Sequence, residues 1–124
     1  MSTVSTPYYS RKLMSCIVQS KNNNGFTEWD TSLKIDSGTW NTMEVRPWQH
    51  PTVHTEGRIR FSKQFTAVPV VSLSLSSVDV SNAANFRVKV YATNITLEGF
   101  TVHAESWADT KLYSCGASWL AIGQ

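Results

Sequence analysis

"FRVKVYATNITLEGFTVHAESW" occupies positions 86–107 and holds two alternating runs joined by a polar break. In the first run Phe86, Val88, Val90 and Ala92 share one parity, and Arg87, Lys89, Tyr91 and Thr93 the other. In the second, Phe100, Val102 and Ala104 alternate with Thr101, His103, Glu105 and Trp107. Alternation with a period of two marks a half-buried strand, because successive side chains leave opposite faces of the pleat. "NITLEG" (94–99) supplies the Asn and Gly that a chain reversal accepts. The pair therefore reads as two antiparallel strands, with the Asn94-Ile95-Thr96 sequon as a plain turn.

The same grammar extends in both directions. "ADTK" (108–111) turns the chain into "LYSCGASWLAIG" (112–123). Upstream, "GRIRFSKQF" (57–65) sets Ile59 and Phe61 against Arg58, Arg60 and Ser62. "VPVVSLSLSSVDV" (68–80) places Val71, Leu73 and Leu75 on one face and Val70, Ser72 and Ser74 on the other, before a "SNAAN" loop (81–85). Towards the N-terminus the pattern weakens. "RPWQHP" (46–51) carries two prolines and does not suit a central strand. Residues 29–48 are expected to be irregular, with "DSG" (36–38) as a turn. "KLMSCIVQS" (12–20) reads as a first strand broken by "KNNNGF" (21–26), and residues 1–11 as an arm. Short strands between polar turns, without a helical pattern, indicate an all-β antiparallel sandwich or barrel.

The chain has 124 residues, the size of one domain with its own core. A charged fraction of 16% and a net charge of +2 give no basic surface for nucleic acid. No apolar run is long enough to span a bilayer. The start, "MSTVSTPYYSRKLMSC", has no basic segment followed by an apolar core, so the sequence predicts a cytoplasmic pool, released by a non-classical route if it leaves the cell. In that setting Cys16 and Cys115 read as reduced thiols, with a disulfide left open for an oxidising compartment.

Catalytic chemistry is not predicted. "HPTVH" (50–54) spaces His50 and His54 as a helical zinc pair would, but Pro51 and the β-branched neighbours oppose a helix. No acid or cysteine in the neighbouring sequence completes a ligand set, so neither metal nor cofactor is expected. Serine nucleophile and phosphate-loop contexts are also missing. A binding role remains, and parity singles out Arg87 and Trp107, which leave the polar face of their strands.

The block 65–123 resembles the H-type lectin domain of snail agglutinins and of the discoidin C-terminus. The shared marks are the "F..VPVVSL" strand, "NFR" at 85–87, "NITLEGF" at 94–100, "WADTKLY" at 107–113 and "SWLAIG" at 118–123. A looser likeness runs back to Lys34. The resemblance implies a six-stranded antiparallel β-sandwich over 31–124, with residues 1–30 as an N-terminal extension. It also implies a homotrimer, or paired trimers forming a hexamer, acting as an agglutinin in adhesion or defence. The ligands would be glycans ending in galactose or N-acetylgalactosamine, held near subunit boundaries.

Within that resemblance Arg87 corresponds to an arginine that hydrogen-bonds the sugar. Trp107 and Tyr113 correspond to aromatic residues that a neighbouring protomer contributes. A guanidinium fork suits adjacent hydroxyls, and flat rings suit the apolar face of a galactose-type ring. Asp109 accepts from a hydroxyl or caps its own turn. Two positions depart from the snail pattern. An acid in the loop before the "RIRF" strand is replaced by His50, beside Trp48 and Gln49, and the histidine after the site tryptophan is replaced by Ala108. Galactose-type binding is therefore better supported than a preference for N-acetylgalactosamine. The competing expectations are a sandwich that has lost sugar binding and serves protein interaction, and a glycan-targeting module of a larger enzyme. Within "SWLAIG", Trp119, Ala121 and Ile122 are expected in the core or a trimer interface.

Overall fold

The computed structural model describes residues 19–21, 27–29 and 33–124. The chain divides into two compact units, with the boundary after Lys34. In the first, β1 (Gln19–Lys21) pairs antiparallel with β2 (Thr27–Trp29), Ser20 facing Glu28. The strand expected at 12–20 and the turn at 21–26 fall largely outside the described residues.

The second unit, Ile35–Gly123, is a sandwich of two three-stranded sheets. One has the order β3 (Lys34–Asn41), β8 (Leu112–Gly123), β5 (Val70–Val80). The other has the order β4 (His54–Arg60), β7 (Gly99–Ser106), β6 (Val88–Thr93). Six strands in antiparallel sheets agree with the architecture expected from the sequence. Among the described residues no helix is long and apolar enough to cross a membrane.

Between the sheets lie Trp40, Phe65, Val88, Phe100, Val102, Ala104, Leu112, Cys115, Trp119 and Ala121, all buried. Phe100, Val102 and Ala104 enter this core as their parity requires, and the rings of Phe61, Phe65, Phe100 and Trp119 pack on one another there in tilted and edge-on contacts. Trp119 and Ala121 are core residues, while Ile122 is half-buried.

Three expectations are corrected. Residues 34–41 form a strand, not an irregular stretch, and "DSG" lies inside it rather than at a turn. Gly38 is there for space: a Cβ on it would lie 2.8 Å from the Trp119 ring. Asp36 is there for hydrogen bonds to Ser62, described below. Phe86 is 55% exposed, because β6 begins only at Val88 and the pleat that would turn Phe86 inward has not started. Leu75 is also exposed, since the β5–β8 register shifts between Leu75 and Ser77 and the alternation breaks there.

Candidate functional site

Three connections bear the residues singled out by sequence: 42–53 before β4, 81–87 before β6, and 107–111 between β7 and β8. Hydrogen bonds tie them to one another. The Ser106 N–H donates to the Val53 carbonyl at 2.9 Å, and the Ser81 N–H to the Lys111 carbonyl at 3.0 Å. The buried Thr110 hydroxyl donates to the Asn85 carbonyl, joining the 107–111 turn to the loop that delivers Arg87. Ala108 adopts φ 59°, a left-handed conformation that closes this tight turn at the expense of some strain in a residue with a Cβ.

The arrangement puts Arg87 against Asp109. An Nη1 hydrogen of Arg87 is donated to Asp109 Oδ1 at 3.0 Å, with the side chains 32% and 74% exposed. Next to the turn, Trp107 is 49% exposed, a large ring that β7 has released at its end. A hollow of about 200 Å³ opens beside it, lined by Pro51, Thr52, Val53, Ser106, Ala108 and Asp109 among others. Arg87, Trp107 and Tyr113 do not line this hollow.

Tyr113 belongs to a second grouping. Its ring meets Trp48 edge-on, centroids 6.1 Å apart, and Trp48 is itself half exposed. The sequence reading passed over the residue that holds this pair, Arg46. Its Nε donates to Thr55 Oγ1 at 2.8 Å, Nη1 to the Tyr113 carbonyl at 2.9 Å and Nη2 to the Leu112 carbonyl at 3.1 Å. One guanidinium thus clamps the 42–53 segment onto the start of β8. Desolvation of the partly buried group lowers its pKa from the ordinary arginine value. The only hint in the sequence was an arginine ahead of a proline in an otherwise aromatic loop. Thr42, buried at the start of a 3-10 turn (Thr42–Glu44), adds a second clasp by accepting the Cys115 N–H at 3.0 Å. That turn is closed by a capping box between Asn41 and Glu44.

His50 is exposed on the same connection, its N–H donating to the Pro47 carbonyl at 3.2 Å. The structure thus groups Arg87 with Asp109, and Tyr113 with Trp48. Cys115 is a free buried thiol, pushed above the ordinary thiol pKa by desolvation despite the opposing charge of Arg46, which makes it a poor nucleophile. Cys16 lies outside the described residues.

The model of the H-type lectin domain matches residues 56–122, more than half of the chain. The chain belongs to the H-type lectin domain family. Arg87, Trp107, Asp109 and Tyr113 fall inside the matched segment, and His50 lies before it. The chain is 38% identical over 65 residues to the protein "ATP synthase subunits region ORF 7" of Fuscovulum blasticum, a match over 52% of this chain and 56% of that one. It is 33% identical over 64 residues to a discoidin-1 chain of Dictyostelium discoideum, over 51% of this chain and 25% of the discoidin. The chain therefore spans about half and a quarter of the length of these curated relatives. In fold it resembles recombinant discoidin II of Dictyostelium discoideum, with a TM-score of 0.62 at 21% identity over 75% of this chain and 38% of that one. The family match and the discoidin-like sandwich agree, one giving the family and the other the two-sheet fold.

Proposed function

We propose that this chain is a non-catalytic lectin that binds glycans ending in galactose or N-acetylgalactosamine and acts as a homotrimer. The observation that carries the reading is the Arg87–Asp109 pair beside the exposed Trp107, inside the segment that matches the lectin family. Asp109 uses one corner of the guanidinium and orients the rest of the fork. The guanidinium hydrogens other than the one given to Asp109 are the donors offered to adjacent sugar hydroxyls. Trp107 offers a flat apolar surface for the C–H face of the ring. In this reading Trp107 and Tyr113 of one copy reach the Arg87 of its neighbour, in keeping with Tyr113 lying against Trp48 and Arg87 against Asp109 within one chain, and His50 lies on the loop that would meet the same sugar.

A shallow monosaccharide site binds weakly, with Kd on the order of 1 mM, because little surface is buried and every hydroxyl must be desolvated. Several copies of the site raise avidity on clustered glycans. A glycan array probed with the labelled full-length chain tests this reading. Signal confined to terminal galactose or N-acetylgalactosamine supports it. A folded protein silent across the array removes sugar binding and leaves a protein-interaction sandwich.

A further inference from the structure

On the outer face of the β4–β7–β6 sheet, three strands bring together a group that the chain sequence scatters. His54 and Glu56 stand two residues apart on the edge strand β4 and so share a face. On the central strand, His103 lies directly opposite Glu56, and on the far side Tyr91 lies opposite His103. The sequence offers no partner for His54, since the His50 spacing fails without a helix; strand pairing brings it to His103 instead. His54 Nε2 lies 2.9 Å from His103 Nδ1, and Glu56 Oε1 lies 3.9 Å from the first and 3.7 Å from the second. All three atoms are thus within 4.8 Å of one another.

We propose that this triad binds one zinc-class divalent ion per chain, through His54 Nε2, His103 Nδ1 and Glu56 Oε1. The point equidistant from atoms separated by 2.9, 3.7 and 3.9 Å lies about 2.1 Å from each, the length of Zn–N and Zn–O bonds. Two imidazoles and one carboxylate select zinc, nickel or copper(II) over calcium and magnesium, which prefer all-oxygen sets.

The surroundings supply what a ligating histidine requires. His103 Nε2 sits 2.5 Å from Thr93 Oγ1, and the tautomer that binds a metal is the one in which Nε2–H is given to this hydroxyl, leaving the Nδ1 lone pair towards His54. Tyr91 stacks on the His103 ring at 4.6 Å with planes 6° apart, fixing its orientation, and Tyr91 in turn donates its hydroxyl to Glu105. In that tautomer and without an ion, His54 gives its Nε2 hydrogen to His103 Nδ1. On binding, the ion takes the place of that one shared hydrogen and His54 carries its N–H on Nδ1 instead. The balance is closed, with no proton released. The more exposed His54 side chain turns to bring its lone pair into line, while the inner His103, 11% exposed, stays in place. Water fills the remaining coordination position.

The test is calorimetric titration of zinc chloride into the chelator-stripped full-length chain. One zinc per chain is expected. His54→Gln should abolish the binding, Glu56→Gln should weaken it by roughly tenfold or more, and Thr93→Val by roughly 10- to 100-fold through loss of the orienting hydroxyl. His54 and Glu56 are exposed, so their variants should melt with the metal-free wild type. In the wild-type protein, zinc should also shift the ring NMR signals of both His54 and His103, a readout that needs no variant. Absence of saturable zinc uptake, uptake undiminished in His54→Gln, or ring signals that do not move would each overturn the site.

Discussion

Asp36 holds Ser62 across the sandwich. From β3 of one sheet, its carboxylate accepts the Ser62 N–H at 2.7 Å and the Ser62 hydroxyl at 2.9 Å, just beyond β4 of the other. The Ser37 N–H adds a third bond at 3.0 Å. Burial by itself would raise the pKa of this carboxyl, but the hydrogen bonds from Ser62 and Ser37 outweigh it and hold the value below the usual carboxylate range.

Replacing Asp36 by Ala should therefore cost about 2–3 kcal/mol, since three donors lose an ionised acceptor. Asp36→Asn should cost less, because one carbonyl oxygen remains. The sign of the pH effect follows from the lowered native pKa. The stabilisation is fully present above the unfolded value of about 3.9 and is lost as pH falls through the native value. Urea unfolding at neutral pH and in acid checks both statements: the difference between wild type and Asp36→Ala should shrink in acid.

Arg46 acts as a clamp. Arg46→Ala should destabilise the chain by about 2 kcal/mol, as the Leu112 and Tyr113 carbonyls and the Thr55 hydroxyl lose their donor. Arg46→Lys should not restore it, because a single ammonium does not reproduce the planar fork. Hydrogen exchange should quicken first in residues 42–50, with the distant β5–β8 pairing retained.

Gly38 lies where the Trp119 ring crosses β3. Ala at this position would place a methyl group 2.8 Å from a buried indole, and the core would have to shift at a cost of about 1–3 kcal/mol. Gly57→Ala on β4 meets Trp40 Nε1 at 2.6 Å and should behave alike. Denaturation midpoints together with tryptophan fluorescence would register both.

Arg87→Ala should weaken galactose binding by roughly tenfold or more while leaving the thermal midpoint nearly unchanged, since the Arg87–Asp109 pair lies at the surface. Asp109→Ala should give a smaller loss, through a guanidinium no longer held in orientation. Sugar titration by NMR alongside thermal melts separates these effects from misfolding.

The regular half of the chain was legible because its signal is local. Phe100, Val102 and Ala104 alternate over a half-buried strand, and β8 runs from Leu112 to Gly123 as read. The β3 strand was not legible. Asp36 and Gly38 look like turn residues until Ser62 and Trp119 come beside them. Arg87 and Trp107 were picked out by strand parity, yet they lie just outside β6 and β7, where the turns and their hydrogen bonds govern exposure. Arg46 escaped notice because its partners are backbone carbonyls 66 and 67 positions away.

By itself the sequence determined the all-β class, the strand faces of the second half apart from Phe86 and Leu75 and, through its ordered motifs, the lectin family. Each of these depends on neighbours along the chain or on the period of the pleat. Tertiary structure alone decided that Asp36 ties the two sheets, that Arg87 meets Asp109, and that His54 and Glu56 meet His103. Those meetings depend on strand register and loop closure between distant segments, for which the spacing of residues in one strand carries no information.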